Sequence, residues 1–106
     1  MIALTDVIGA VSGCVVAAWL DARTGDLVEQ HAVAAPDFVA AALDAAAEVM
    51  RTRERPPRAV LLSPGHVHII HRVAQRVLVV ICERTANLGL AVATVRSFVD
   101  AIGAAA

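Results

Sequence analysis

The stretch Val77-Leu-Val-Val-Ile-Cys82 constrains the fold more than any other part of the chain, because all of its residues are apolar. A strand with one face in water alternates apolar and polar residues, whereas an unbroken apolar run is expected where both faces are covered. Arg76 and Glu83 bound the run, so its length suits a strand. The sequence therefore predicts a strand in the middle of a sheet, with helices covering both faces.

Apolar spacing and turn residues predict the other elements on either side of this strand. The expected order is α-β-β-α-β-β-β-α, an α/β (α+β) fold in which an antiparallel five-stranded sheet lies between helical layers. We expect residues 1–106 to form a single domain. The predicted elements are a helix at 2–10, a strand ending near 20, a strand at 26–33, a helix at 37–52, strands at 58–63, 66–73 and 76–83, and a last helix from about 87.

Several residues predict how these elements begin, turn and dock. Asp21 can bond the backbone of a hairpin turn, and Gly25 can adopt the positive φ that such a turn needs. Asn87 can cap the last helix, and Gly89 is expected to let that helix pass close to the sheet. The stripe expected to dock on the sheet consists of Leu88, Val92, Val95, Val99 and Ile102.

The chain has more apolar residues than its size requires. They make up 58% of it, against about 45–50% in typical soluble domains. The longest stretch without charge, 7–20, has 14 residues, fewer than the roughly 20 that span a bilayer. We therefore expect a cytoplasmic protein whose excess apolar surface is covered by another chain. Nucleic acid is a poor partner, because the net charge is −1 and aromatic residues make up 3%.

A second copy of the chain is the simplest cover for that surface. The strand at 59–63 follows a long crossover, so it is expected at a sheet edge, and no proline interrupts it. The alanine-rich helix at 37–52 can face the sheet and a second helix together. A lysine in place of Leu61 is expected to weaken such a dimer. The predicted dimer interface comprises Ala59, Val60, Leu61, Leu62, Ser63, Val39, Leu43, Ala46 and Met50.

Three local patterns in this order of elements resemble the roadblock/dynein light chain family. They are the hairpin VVAAWLDARTGDLV at 15–28, the strand end HIIHR at 68–72, and VLVVICER at 77–84 followed by NLGLA at 87–91. The resemblance extends over nearly the whole chain and is to bacterial members. The abundance of alanine, arginine and valine suits an actinobacterial source.

The resemblance implies a profilin-like roadblock architecture and a regulatory function. Such domains form homodimers or heterodimers by joining their third strands and packing their central helices side by side. They lack a catalytic centre, and bacterial members commonly act on Ras-like small GTPases as activating partners or scaffolds. Arg51, Arg53 and Arg55 are possible contacts to such a partner, although cations near a helix end also suit a solvated linker.

The residues themselves offer little for catalysis. His66 and His68 share a strand face and His71 points to the other, so a zinc site would need a further ligand such as His31 or Cys82. Cys14 and Cys82 stand in apolar surroundings and are expected to be buried thiols. No phosphate-binding loop or nucleophile elbow is present. We therefore expect no catalytic residue, cofactor or metal.

Two other functions stay open at this stage. One is a sensing module that binds a small molecule or peptide in a groove between the sheet and a helix, without a GTPase partner. The other is a zinc enzyme built on the histidines. The first predicts a sizeable internal pocket and a rise in melting temperature when a ligand binds, and the second predicts stoichiometric metal in the purified protein.

Overall fold

A computed structural model of the chain describes residues 3–11, 13–33, 40, 41, 43, 44, 58–84 and 87–105. Its helices are α1 (Leu4–Ala10) and α2 (Leu88–Ala105). Its strands are β1 (Cys14–Asp21), β2 (Leu27–Ala32), β3 (Arg58–Ser63), β4 (His66–Val73) and β5 (Arg76–Glu83). Within the predicted central helix, residues 40, 41, 43 and 44 are helical, and the rest lies outside the described residues. The α/β fold with an antiparallel sheet is confirmed.

The five strands form one sheet in the order β2-β1-β5-β4-β3, and every neighbouring pair is antiparallel. The apolar strand β5 therefore lies in the centre and β3 lies at an edge, as predicted. Tight turns join the last three strands, with Gly65 at φ 87° after β3 and Ala74 at φ 56° after β4. These turns place β3, β4 and β5 side by side in chain order.

Both faces of the sheet carry a buried apolar cluster. On the first face, Ala17, Ile69 and Val80 pack against α1 and α2. On the second face, Val16, Ile70, Val79 and Ile81 form a cluster with Leu43. Val77 to Cys82 are all at most 1% exposed, which confirms the prediction that this strand is covered on both sides. Burying each such side chain contributes about 1.5–3 kcal/mol.

The predicted turn and cap residues act as expected. The Asp21 carboxylate accepts hydrogen bonds from the N–H groups of Arg23 at 2.7 Å and Thr24 at 3.1 Å. Gly25 has φ 79°. The side-chain oxygen of Asn87 accepts from the N–H of Leu90 at 3.1 Å, so Asn87 caps the first turn of α2.

Two expectations for α2 are wrong. Among the described residues, a Cβ built on Gly89 would meet the Asn87 side chain alone, 3.7 Å away, so this glycine does not serve a close approach to the described sheet. Leu88, the first residue of α2, is 41% exposed, so it does not dock with the rest of the stripe. The rest of the stripe docks as predicted: Val95 is fully buried, and Val92, Val99 and Ile102 pack beside it.

The two cysteines face each other across β1 and β5 on the first face. Both thiols are free and buried. The neighbouring Cys82 thiol, and next burial, raise the pKa of Cys14, whereas the contact with Cys14 lowers the pKa of Cys82. The Cys14 thiol donates to the carbonyl of Val16 at 3.3 Å. Two free thiols buried inside an apolar cluster act as small core side chains, as the sequence indicated.

Candidate functional site: the unpaired edge of β3

Strand β3 pairs with β4 along one side, and no described element pairs with its other side. The hydrogen-bond pattern shows which backbone groups point outward. The N–H of Arg84 donates to the carbonyl of Gly65 at 3.0 Å, so His66 and Glu83 form a non-hydrogen-bonded pair and His66 directs its backbone groups toward β3. Because pairing alternates along antiparallel strands, Ala59, Leu61 and Ser63 bond to β4. The outward N–H and C=O groups belong to Arg58, Val60 and Leu62.

The side chains of β3 alternate in the same way. Val60 is 46% exposed and Leu62 is 62% exposed, on the face of the sheet that carries α2. On the other face, Ala59 and Leu61 are partly buried against the cluster that contains Leu43. Two of the three residues with outward backbone groups, Val60 and Leu62, therefore also carry exposed apolar side chains.

The opposite edge of the sheet has a different surface. Strand β2 exposes Glu29, Gln30 and His31 beside the apolar Leu27 and Val28, and its pairing with β1 shifts between Trp19 and Leu20. Exposed polar side chains and a bulge are features that keep edge strands from joining other chains. From Ala59 to Leu62, β3 has no charge, no proline and no register shift. It is the edge on which another strand can add.

The structure describes part of the predicted dimer interface. Ala59 to Ser63 form the edge strand as expected, and Leu43 is 7% exposed, packed on the sheet of its own chain. Leu61 is half-buried, so a lysine there would disturb the core as well as the edge. The other predicted interface and contact residues lie outside the described residues; they are Val39, Ala46, Met50, Arg51, Arg53 and Arg55.

Near the end of β3, the hydroxyl of Ser63 and Nε2 of His68 lie 3.1 Å apart. His68 is 6% exposed, and its Nδ1 is buried without a hydrogen-bond partner. Burial, and next the charge of His66, lower the pKa of His68 below its usual 6.5. No described carboxylate contacts this pair to form a Ser-His-Asp arrangement. We interpret it as a buried polar contact that fastens β3 to β4.

The described histidines and cysteines do not assemble a metal site. His68 lies opposite Ile81, on the second face, whereas Cys82 lies opposite Val67, on the first face. No group of three or more His, Cys, Asp or Glu side chains within the described residues is placed to hold a metal ion. His71, as predicted, points away from His66 and His68.

A groove of about 600 Å³ lies between β2 and the described part of the central helix. Its walls include Leu27 and Gln30 from the strand side and Ala40, Leu43 and Asp44 from the helix side. The groove is open to solvent and mixes apolar and polar side chains. Its size is in the range of small-molecule sites.

Sequence reasoning missed which residues of β3 face outward. It treated 59–63 as one surface, although alternate residues face opposite sides of the sheet. The signal was present, because the two-residue turn Pro64-Gly65 fixes Ser63 opposite His66 and so fixes the whole register. Counting back from Ser63 assigns Leu62 and Val60 to the free edge.

Comparison with known proteins identifies the fold. No protein-family model matches the chain, and no curated protein matches it. Among solved structures, a Roadblock/LC7 domain from Streptomyces avermitilis is 14% identical, with a TM-score of 0.71 over 93% of this chain and 90% of that one. MglC from Myxococcus xanthus is 13% identical, with a TM-score of 0.70 over 97% and 95%. The gliding protein MglB from Thermus thermophilus is 16% identical, with a TM-score of 0.68 over 92% and 81%.

These likenesses extend over nearly the whole chain and confirm the predicted architecture. The chain has the roadblock/LC7 fold. Within the described residues, no helix has the length and apolar character needed to cross a membrane.

The burial of His68 predicts how stability depends on pH. Its pKa is lower in the folded state than in the unfolded state, so the unfolded state binds more protons below about pH 6.5. The free energy of unfolding should therefore fall as pH drops from about 7.5 to about 5.5, measured by urea denaturation. His68→Gln should reduce this dependence without removing it, because burial lowers the pKa of His71 as well. His31→Gln, at an exposed position, is the control. An equal slope in His68→Gln and the unmodified protein would contradict the assignment.

Proposed function

We propose that the chain is a non-catalytic, cytosolic interaction module of one domain, residues 1–106, that works as a homodimer joined through β3. The observation that carries this proposal is the coincidence of outward backbone groups and exposed apolar side chains at Val60 and Leu62. A second copy can bond to these backbone groups and also cover these side chains, because its own β3 offers the same groups in antiparallel orientation.

The hydrogen-bond pattern favours one register for this pairing. With Val60 on the twofold axis, Val60 faces its counterpart and Arg58 faces Leu62 of the second copy. All three outward residues of each strand then pair, which gives about six inter-chain hydrogen bonds, two for each facing pair. Centring the axis on Ala59 or Leu61 leaves outward groups of β3 without partners in the facing strand. The same register keeps the two Arg58 side chains apart.

The proposed strand pairing predicts the effect of a charge at the twofold axis. Val60→Lys should weaken the dimer at least about a hundredfold, because two like charges face each other and apolar burial is lost. Light scattering after gel filtration should show a fall from twice 11.0 kDa to 11.0 kDa.

Val28→Lys is the matched control. Val28 lies on the opposite edge strand and, like Val60, is 46% exposed. It makes the same chemical change without touching β3, so its dimer mass should equal that of the unmodified protein. If both variants stay dimeric, or if the unmodified protein is a monomer at high concentration, the β3 dimer is wrong.

We further propose that the dimer binds a Ras-like small GTPase, either stimulating its hydrolysis of GTP or holding it as a scaffold. The support is the resemblance of the sequence motifs to bacterial roadblock proteins together with the roadblock/LC7 fold. Arg51, Arg53 and Arg55 stay the predicted contact residues, since arginine pairs well with acidic and phosphate groups.

This partner predicts a nucleotide-dependent capture. The tagged chain, incubated with a lysate of its source organism, should retain a small GTPase to different extents with GDP and with a non-hydrolysable GTP analogue. A variant with Gln at Arg51, Arg53 and Arg55 should retain less, whereas Arg23→Gln, in the β1–β2 turn, should retain as much. The captured GTPase is then purified and its hydrolysis measured with and without the chain. Capture of no GTPase under either nucleotide would contradict the proposal.

The groove beside β2 favours a second candidate function, sensing of a small molecule or peptide. This function needs no GTPase, and its signature is a rise in melting temperature on ligand binding. Gln30→Ala and Asp44→Ala change polar groups in the groove and should reduce that rise. A ligand whose stabilising effect is unchanged by both substitutions would exclude the groove as its site.

A further inference from the structure

A separate pocket of about 330 Å³ opens between the free edge of the sheet and α2. It is lined by Arg58, Ala59 and Val60 of β3, His71 of β4, and Val92 and Arg96 of α2. All of these residues belong to one chain. Arg58 and Val60 also lie on the edge that joins the proposed dimer, so the second copy's β3 would border the pocket. Arg58 and Arg96 are exposed, and their guanidinium groups can be reached from solvent.

The polar side chains that line this pocket are two arginines and one histidine. Within the described part of the chain, neither Arg58 nor Arg96 forms an ion pair with a carboxylate. The His71 ring is 8% exposed and makes no hydrogen bond to another described residue. The one described carboxylate that acts on this ring is Asp100, one turn along α2 from Arg96. The pocket therefore has an excess of positive charge and unused hydrogen-bond donors.

The charges of these two arginines affect the pKa of His71. Burial lowers the pKa of His71, the charges of Arg58 and Arg96 lower it further, and Asp100 opposes them. From β5, the residue opposite His71 is the apolar Leu78. At neutral pH the ring is therefore neutral and can donate one N–H while the two guanidinium groups keep their charges.

We propose that this pocket binds a small ligand through an oxyanion group, a carboxylate or a phosphate, held between Arg58 and Arg96. Guanidinium groups suit both anions because their planar donors can bond two oxygens together. Val60 and Val92 form an apolar wall for the remainder of the ligand. The volume is equivalent to about eleven water molecules at ~30 Å³ each, which is enough for a small organic acid or phosphate ester.

Binding of such a group must be coupled to protonation of His71. A negative charge between the arginines offsets their effect on the ring, so the pKa of His71 should rise when the pocket is occupied. By linkage, an anion whose own charge stays constant should bind more tightly as His71 becomes protonated, because the imidazolium adds a charge and a second donor. A bound ion elsewhere on the surface would not move this titration.

The test follows the imidazole resonance of His71 by NMR in the full chain, with assignment from a His71→Asn sample. Inorganic phosphate and acetate are titrated separately at constant ionic strength, with chloride as the balancing anion. Saturable shifts of His71 and a raised pKa are expected with at least one of them. The tighter of the two identifies the oxyanion class.

Charge-matched variants separate this site from general ion binding. Arg96→Gln should weaken binding about tenfold or more through loss of a charge-assisted bond. Arg23→Gln removes the same charge far from the pocket and should leave the affinity unchanged. Arg58→Gln is the second variant if Arg96→Gln does not fold, as judged by circular dichroism. Non-saturable shifts, or equal affinities in Arg96→Gln and Arg23→Gln, would overturn the proposal.

Discussion

The structure depends on β5, which is hydrogen-bonded to β1 on one side and β4 on the other and is buried on both faces. A strand so placed cannot tolerate a polar side chain on either face, which accounts for the apolar sequence from Val77 to Cys82. It also requires a covering layer on each side. Helices α1 and α2 supply one layer, and Leu43 contributes to the other.

A central β5 fixes what lies at the edges. The tight turns at Gly65 and Ala74 keep β3, β4 and β5 adjacent, so β3 has no strand beyond it in the described chain. The two edges are not equivalent. Strand β2 exposes Leu27 and Val28 too, but beside the exposed Glu29 and a register shift. Strand β3 exposes Val60 and Leu62, with no charge and no register shift from Ala59 to Leu62. This asymmetry is the physical reason to assign association to β3. The excess of apolar residues in the sequence is most evident as exposed apolar surface at this edge.

The strands and their order were largely predictable from the sequence. The bounds 58–63, 66–73 and 76–83 agree with the structure, because Pro64-Gly65 and Ala74-Gln75 mark the turns between them. Local chemistry also predicted the cap at Asn87. Gly89 and Leu88 were interpreted wrongly, since the path of a helix over a sheet depends on packing that its own sequence does not contain.

The candidate sites were less predictable, for a geometric reason. Arg58, His71 and Arg96 lie on three different elements, and they meet because α2 crosses beside β3 and β4. The spacing of these three residues along the sequence does not predict that they line one pocket. The outward direction of the Val60 and Leu62 backbone groups follows from a turn of two residues. A short turn sets the register of the strand pair, and the register determines which residues of the edge strand point outward.

Amide hydrogen exchange at β3 tests the central claim most directly. The N–H groups of Val60 and Leu62 point away from β4, and that of Leu61 points toward it, so Leu61 is an internal reference in the same strand. If a second copy pairs with this edge, protection of Val60 and Leu62 should rise with protein concentration and approach that of Leu61. Exchange of Val60 and Leu62 at the rate of free amides at every concentration would contradict the account.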